Sequence, residues 1–198
     1  MKAHYHTFDG VRYSFKGICT YLLMKENVTD PRFHVWANHA SVTENGRTSV
    51  MVKSVDVDVN GVAIELQQGN GKLMVNGADI RPELENNGHY EIDGIEFSFV
   101  KNQNRIRVSV TGTFQVDWNG KGHIIIELDK SMIGNEKEGG KVIGLLGNAN
   151  GVREDELIEQ LYDGTYRVMS KLEAGEKPTM EEMIRFGISW IKDCQEVV

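Results

Sequence analysis

Asn-Gly and Asp-Gly pairs punctuate this chain at Asn60-Gly61, Asn76-Gly77, Asp93-Gly94 and Asn119-Gly120. Such pairs tolerate the positive φ that a two-residue hairpin turn needs at both central positions, and the twist of that turn matches the strands it joins. The flanking residues agree with strands. Residues 54–66 alternate Val, Ile and Leu against Asp, Glu and Asn, segments 89–92 and 95–100 flank Asp93-Gly94, and 123–128 follows Asn119-Gly120. Alternation at strand length, rich in β-branched and aromatic residues, specifies antiparallel sheets with one solvated face. The edges of so many strands must be closed or covered, so we expect an all-β, antiparallel two-sheet β-sandwich.

The pattern changes after residue 151. Residues 154–161 fit a helical turn or two, and 178–186 reads as a short helix with Glu181 and Glu182 in its first turn, where the helix dipole favours acids. Residues 130–141, with their glycines and glutamates, look like a mobile surface loop. No internal repeat or boundary appears, which gives one domain over 1–198: a sandwich over 1–150, then a loop and helical tail over 151–198. At 198 residues and 40% hydrophobic content, the chain can bury a sizeable core. Tyr13, Phe15 and Tyr21 fall at odd positions, as on an inward strand face.

Residues 144–155, Gly-Leu-Leu-Gly-Asn-Ala-Asn-Gly-Val-Arg-Glu-Asp, concentrate oxygen donors where the backbone can turn tightly. Asn148, Asn150 and Asp155 offer side-chain oxygens, and a carbonyl near Val152 adds one more. Ca²⁺ takes about six to eight oxygens of these kinds. Asn and Gly also build ordinary turns, so spacing alone leaves both readings open.

Two further stretches bear on that choice. Residues 4–23 read H-Y-x-T-F-D-G-x-x-Y-x-F-x-G-x-C-x-Y-L-L, and 186–194 read F-G-x-S-W-x-x-x-C. With G-L-x-G-N-x-N-G between them, in that order, the chain resembles the von Willebrand factor type D domain. The resemblance implies a structural calcium ion held by Asp9 together with Asn148, Asn150, the Val152 carbonyl and Asp155, with Glu154 in reserve. It also implies a disulfide between Cys19 and Cys194, the two cysteines present; two buried free thiols are the alternative. The chain departs from the family in having few cysteines, with Leu146 where a cysteine is usual, so covalent multimerisation through this module is not expected. Met1-Lys2-Ala3-His4 lacks the Asp-Pro bond of self-cleaving members, and self-cleavage is not expected either.

The function this implies is a calcium-stabilised extracellular module of a larger secreted protein, working in assembly or adhesion through other extracellular proteins or neighbouring modules. No signal peptide opens the chain, so more protein is expected upstream of Met1. Asn27-Val28-Thr29 is an acceptor sequence for glycosylation at Asn27. The resemblance also leaves two alternatives, a module of a luciferase-like secreted oxidase and the corresponding region of a lipid-transfer or yolk-type protein. No catalytic set supports the first: Gly-x-Ser-x-Gly, Walker and His-Glu-x-x-His patterns are missing from the sequence. His4 and His6 share a strand face and could join another histidine on zinc, though packing or exposure explains them better. Asp56 and Asp58 alternate with valines and read as a solvated face rather than an acid–base pair. A net charge of −7 argues against nucleic acid, and no apolar run reaches the roughly 20 residues of a membrane helix. The partner surface is expected at the sheet edge or in loops around 38–47 and 130–141.

Overall fold

The computed structural model describes residues 3–69, 71–100, 104–169 and 175–194. An N-terminal hairpin pairs β1 (Ala3–His6) with β2 (Arg12–Phe15). A long antiparallel meander follows: β3 (Thr20–Glu26), β4 (Phe33–Glu44), β5 (Arg47–Val59), β6 (Val62–Leu66), β7 (Leu73–Val75) and β8 (Ala78–Asp79). One short helix, α1 (Arg81–Asn87), leads into a second sheet. Its strands, β9 (His89–Ile92), β10 (Ile95–Val100), β11 (Arg105–Val110), β12 (Phe114–Trp118) and β13 (Ile124–Leu128), lie in sequence order with β13 outermost. The sheets meet through Phe33 and Phe114, whose ring centroids are 4.9 Å apart, and through Trp118 Nε1, which donates to the Gln67 carbonyl at 2.9 Å. The expected all-β sandwich is the observed architecture.

Turn chemistry explains much of the meander. Asn60, Asn76 and Asp93 each hold φ near +50°, with the following glycines between +78° and +83°, as type I′ turns require. Asn119-Gly120 differs from expectation. Trp118 pairs with Ile124, so five residues separate the strands, and Asn119 Oδ1 stabilises the loop by accepting the N–H groups of Lys121 and His123.

The free edge of β3 is where the chain returns. β14 (Val142–Ile143) pairs with its C-terminal half, and the N–H groups of Leu145 and Leu146 continue the ladder onto Leu22 and Leu23. Beyond a hairpin of β15 (Ile158–Gln160) and β16 (Tyr166–Val168) comes α2 (Met180–Ser189), and then β17 (Ile191–Asp193) covers the other half of β3. Thr179 and Glu182 form a reciprocal capping box that fixes where α2 starts.

Three expectations need correction. Residues 154–161 are not helical: Ile158–Gln160 is a strand, held by pairing to β16 and by Trp190 Nε1, which donates to the Ile158 carbonyl at 2.8 Å. The stretch after 151 keeps its expected loop and helix, α2, and adds a β-hairpin before that helix and the strand β17 after it. Residues 38–47 are not a loop either, because β4 runs to Glu44 and turns at Asn45-Gly46 into β5. Finally, residues 130–141 contain a 3₁₀ turn at Lys130–Met132 with Met132 buried, an Asn135–Gly139 bridge, and Lys141 Nζ donating to the Ser131 carbonyl at 2.8 Å.

A disulfide joins Cys19 to Cys194 across 175 positions. It ties the segment after α2 to the start of β3, beside the β17–β3 pairing. The aromatics near it form a buried group: Tyr5, Phe15 and Tyr21 pack round His39, whose Nδ1 donates to the Gly17 carbonyl at 3.0 Å and whose Nε2 meets the Tyr5 hydroxyl. Trp36 lies outside this group, half-buried beneath the Lys192 ammonium.

Candidate metal centre

Two segments far apart in sequence are bound together. Phe8 N–H donates to the Leu146 carbonyl at 3.0 Å, and the Tyr13 hydroxyl donates to the Leu145 carbonyl. These contacts set the turn between β1 and β2 against the loop that follows β14. Asp9 Oδ2 then accepts the N–H groups of Asn150 and Gly151, at 3.0 and 3.1 Å. Within the loop, Asn148 Nδ2 donates to Asp155 Oδ1 at 3.2 Å and Asn150 Nδ2 to Asp155 Oδ2 at 2.7 Å. Val152 N–H donates to Asn150 Oδ1 at 2.9 Å, a local turn of the kind asparagine favours. The residues singled out from the sequence, Asp9, Asn148, Asn150, Val152 and Asp155, thus form one connected cluster.

Glu156 was not legible in the sequence. Glu154, the acid held in reserve, is exposed, whereas Glu156 is fully buried. Its Oε1 accepts the N–H groups of Asn148 and Ala149, and its Oε2 accepts that of Asp9 at 2.9 Å. The carboxylate is therefore the hub on which both segments turn. Gly147 is placed by it: a Cβ there would collide with the Glu156 carboxylate, and φ is +90°. Ala149 sits at φ +53°, a left-handed conformation that disfavours a side chain and persists where surroundings fix it.

Electrostatics leave this cluster short of positive charge. Burial pushes Glu156 up to about 7 despite hydrogen bonds from the Thr7 side chain and from backbone N–H groups, and the neighbouring Asp9 carboxyl raises it further. Among the described residues, no ion pair involves Asp9, Asp155 or Glu156. Asn148 Oδ1 is buried and has no hydrogen-bond partner among the described residues. A buried acceptor left unpaired costs roughly 1–3 kcal/mol, so native structures rarely leave one. Three carboxyl groups and two amide oxygens, one of them orphaned, fit a hard, oxygen-seeking divalent cation.

The other candidates are placed differently. His4 and His6 lie on the exposed face of β1. Asp56 is half-buried, accepts Asn38 Nδ2 at 3.0 Å, and is raised chiefly by burial. His89, Glu91 and Glu96 bring ligand atoms within 4.8 Å of one another across β9 and β10, all exposed. Asn27 is exposed as its acceptor sequence requires, with Nδ2 on the Gly140 carbonyl at 3.2 Å. No described helix is long and apolar enough to cross a membrane.

A disulfide-stapled β-sandwich whose N-terminal turn docks on a Gly-Asn-x-Asn-Gly loop defines a recognisable class of extracellular module. The family profile described as von Willebrand factor type D domain matches residues 1–161, and the chain belongs to that family. It is 24% identical over 170 residues to human otogelin-like protein, covering 78% of this chain and 6% of that protein. It is 26% identical over 159 residues to rabbit (Oryctolagus cuniculus) zonadhesin, with 79% and 6% covered. To chicken (Gallus gallus) SCO-spondin it is 29% identical over 160 residues, with 79% and 3% covered. The chain thus spans only a few per cent of the length of these relatives. The Cys19–Cys194 disulfide belongs to an oxidising compartment, in keeping with a secreted, extracellular setting.

Proposed function

We propose that this chain is a calcium-stabilised structural and interaction module of a larger extracellular protein, with a role in assembly or adhesion and no catalysis of its own. The observation that carries the calcium is the partnerless, buried Asn148 Oδ1 beside Asp155, in a cluster that also holds Asp9 and Glu156. Asp9, Asn148, Asn150, Asp155 and the Val152 carbonyl would hold the ion, with Glu156 orienting the backbone from behind. When bound, calcium supplies the charge that offsets the carboxylates and gives the orphaned amide oxygen a partner. The chain's own residues do the rest: Asp9 clamps the 150–151 turn, and Glu156 ties Asp9 to 148–149. Support for an assembly or adhesion role comes from relatives such as zonadhesin and otogelin-like protein, in which a module of this family is a small part.

Isothermal titration with calcium tests the site. Saturable binding at one site is expected, weakened at least about tenfold by Asp155→Ala, which removes a charged ligand. Binding that is undetectable, or unchanged in Asp155→Ala, contradicts the assignment.

A further inference from the structure

Three strand edges without partners among the described residues converge on one groove of about 740 Å³. β13 is the outermost strand of its sheet, and β1 is paired only with β2. β5 is paired with β4 except for a bulge at Lys53 but with β6 only from Val55 onward, so its stretch from Arg47 to Ser54 lacks a second strand partner among the described residues, with Gly122 lying against the Val52 carbonyl at one end of it. Consecutive residues of all three strands line the groove, as happens when a strand presents its edge. The floor is apolar and half-buried: Phe8, Val50, Val52, Ile124, Ile126 and Leu146. Natural sheets usually blunt such edges with charge, proline or a bulge. The Ile124–Ile126 run carries none of these, and Ile125 is 39% exposed.

Charge decides what fits. Among the described residues no carboxylate lines this groove, whereas Lys121 brings an ammonium and His4, His6 and His123 bring imidazoles, that of His123 held below its ordinary value by burial and by Arg105. An apolar floor, open backbone donors and acceptors, and a rim of imidazoles and one ammonium are complementary to an extended chain with apolar and acidic residues in alternation. We infer that this groove is a strand-addition site for an extended segment, of alternating acidic and apolar residues, of a partner polypeptide. A second copy of this chain is a poor occupant. Its own segment with that alternation, Val55–Val59, is already paired on both sides, to β4 and β6. The site names a partner class for the interaction module proposed above and does not use the calcium cluster.

Fluorescence anisotropy with a labelled heptapeptide alternating valine and aspartate tests this. Controls are the same peptide with lysine for aspartate, and one N-methylated at alternate peptide bonds, which cannot add as a strand. We expect saturable binding of the aspartate peptide alone, weakened at least about tenfold by Lys121→Glu with His123→Glu, two exposed positions whose change leaves thermal unfolding unaltered. No saturable binding, equal binding of either control, or binding of palmitate but of no peptide overturns the inference. The calcium shift in melting temperature is recorded on the same samples. Loss of peptide binding with that shift intact sinks the strand site alone, while loss of the shift with peptide binding intact sinks the calcium reading alone.

Discussion

A single buried imidazole shows how strongly one residue's surroundings can set the pH response of this domain. His39 is 6% exposed, and burial drops it from 6.5 to about 4. Since the Gly17 carbonyl can only accept, Nδ1 carries the proton and the neutral ring receives the Tyr5 hydroxyl at Nε2. The unfolded chain binds a proton at 6.5 and the folded one not until about 4, so this contribution is present above 6.5 and lost as pH falls towards 4. The loss amounts to about 3 kcal/mol. Glu156 acts with the opposite sign: its folded value is raised, so the folded state holds the extra proton and gains stability as pH falls from 7 towards 4.5. Comparing wild type with His39→Phe by urea unfolding at pH 7, 5 and 4 separates the two. The difference between the proteins should narrow by most of that amount at pH 4; a constant difference would mean that His39 is protonated in the fold. None of this was legible in the sequence, where His39 was one of several histidines without assigned surroundings.

At the scale of elements, turns and caps were written locally, and pairings made at a distance were not. Asn60-Gly61, Asn76-Gly77 and Asp93-Gly94 encode their hairpins because few other dipeptides accept two positive φ values in succession. Thr179 and Glu182 announce α2 in the same local way. By contrast, Ile158–Gln160 reads equally as helix or strand in so short a run, and its state is set by Trp190, β16 and the arginines 167 and 185 that bracket buried Glu159. Polar residues in β4 beyond Asn38 suggested a loop, yet that arm of the β4–β5 ribbon lies outside the β6 pairing, and its apolar contacts come mainly from Val50 and Val52 on β5. The Cys19–Cys194 link fastens the last of these elements. Replacing both cysteines by serine should cost several kcal/mol, with a ceiling of about 5 kcal/mol for so long a loop. Denaturant midpoints of the oxidised protein and the double variant measure it, and equal midpoints would show that β17 pairing alone holds the tail.

The whole molecule is a sandwich whose distant chain segments are fastened by two different chemistries. A covalent bond fastens Cys19 to Cys194, and a cluster of carboxyl and amide groups joins residue 9 to residues 148–156. The proposed ligands Asn148, Asn150 and Asp155 were legible because oxygen donors and glycines crowd into one short loop, whereas Asp9 was named only by the family resemblance. The buried hub, Glu156, was not, since neighbouring acids in Glu154-Asp155-Glu156 look alike until the fold buries one of them. A clasp made of like charges should be weak by itself and strong when a divalent cation completes it. Differential scanning calorimetry of the oxidised protein, in excess calcium and in chelator, tests that most directly. At a calcium concentration about a hundred times the dissociation constant, mass action adds roughly 2.7 kcal/mol and should raise the melting temperature by about 5–10 °C. Asp155→Ala should abolish most of that rise. Identical melting curves in calcium and in chelator would contradict the account.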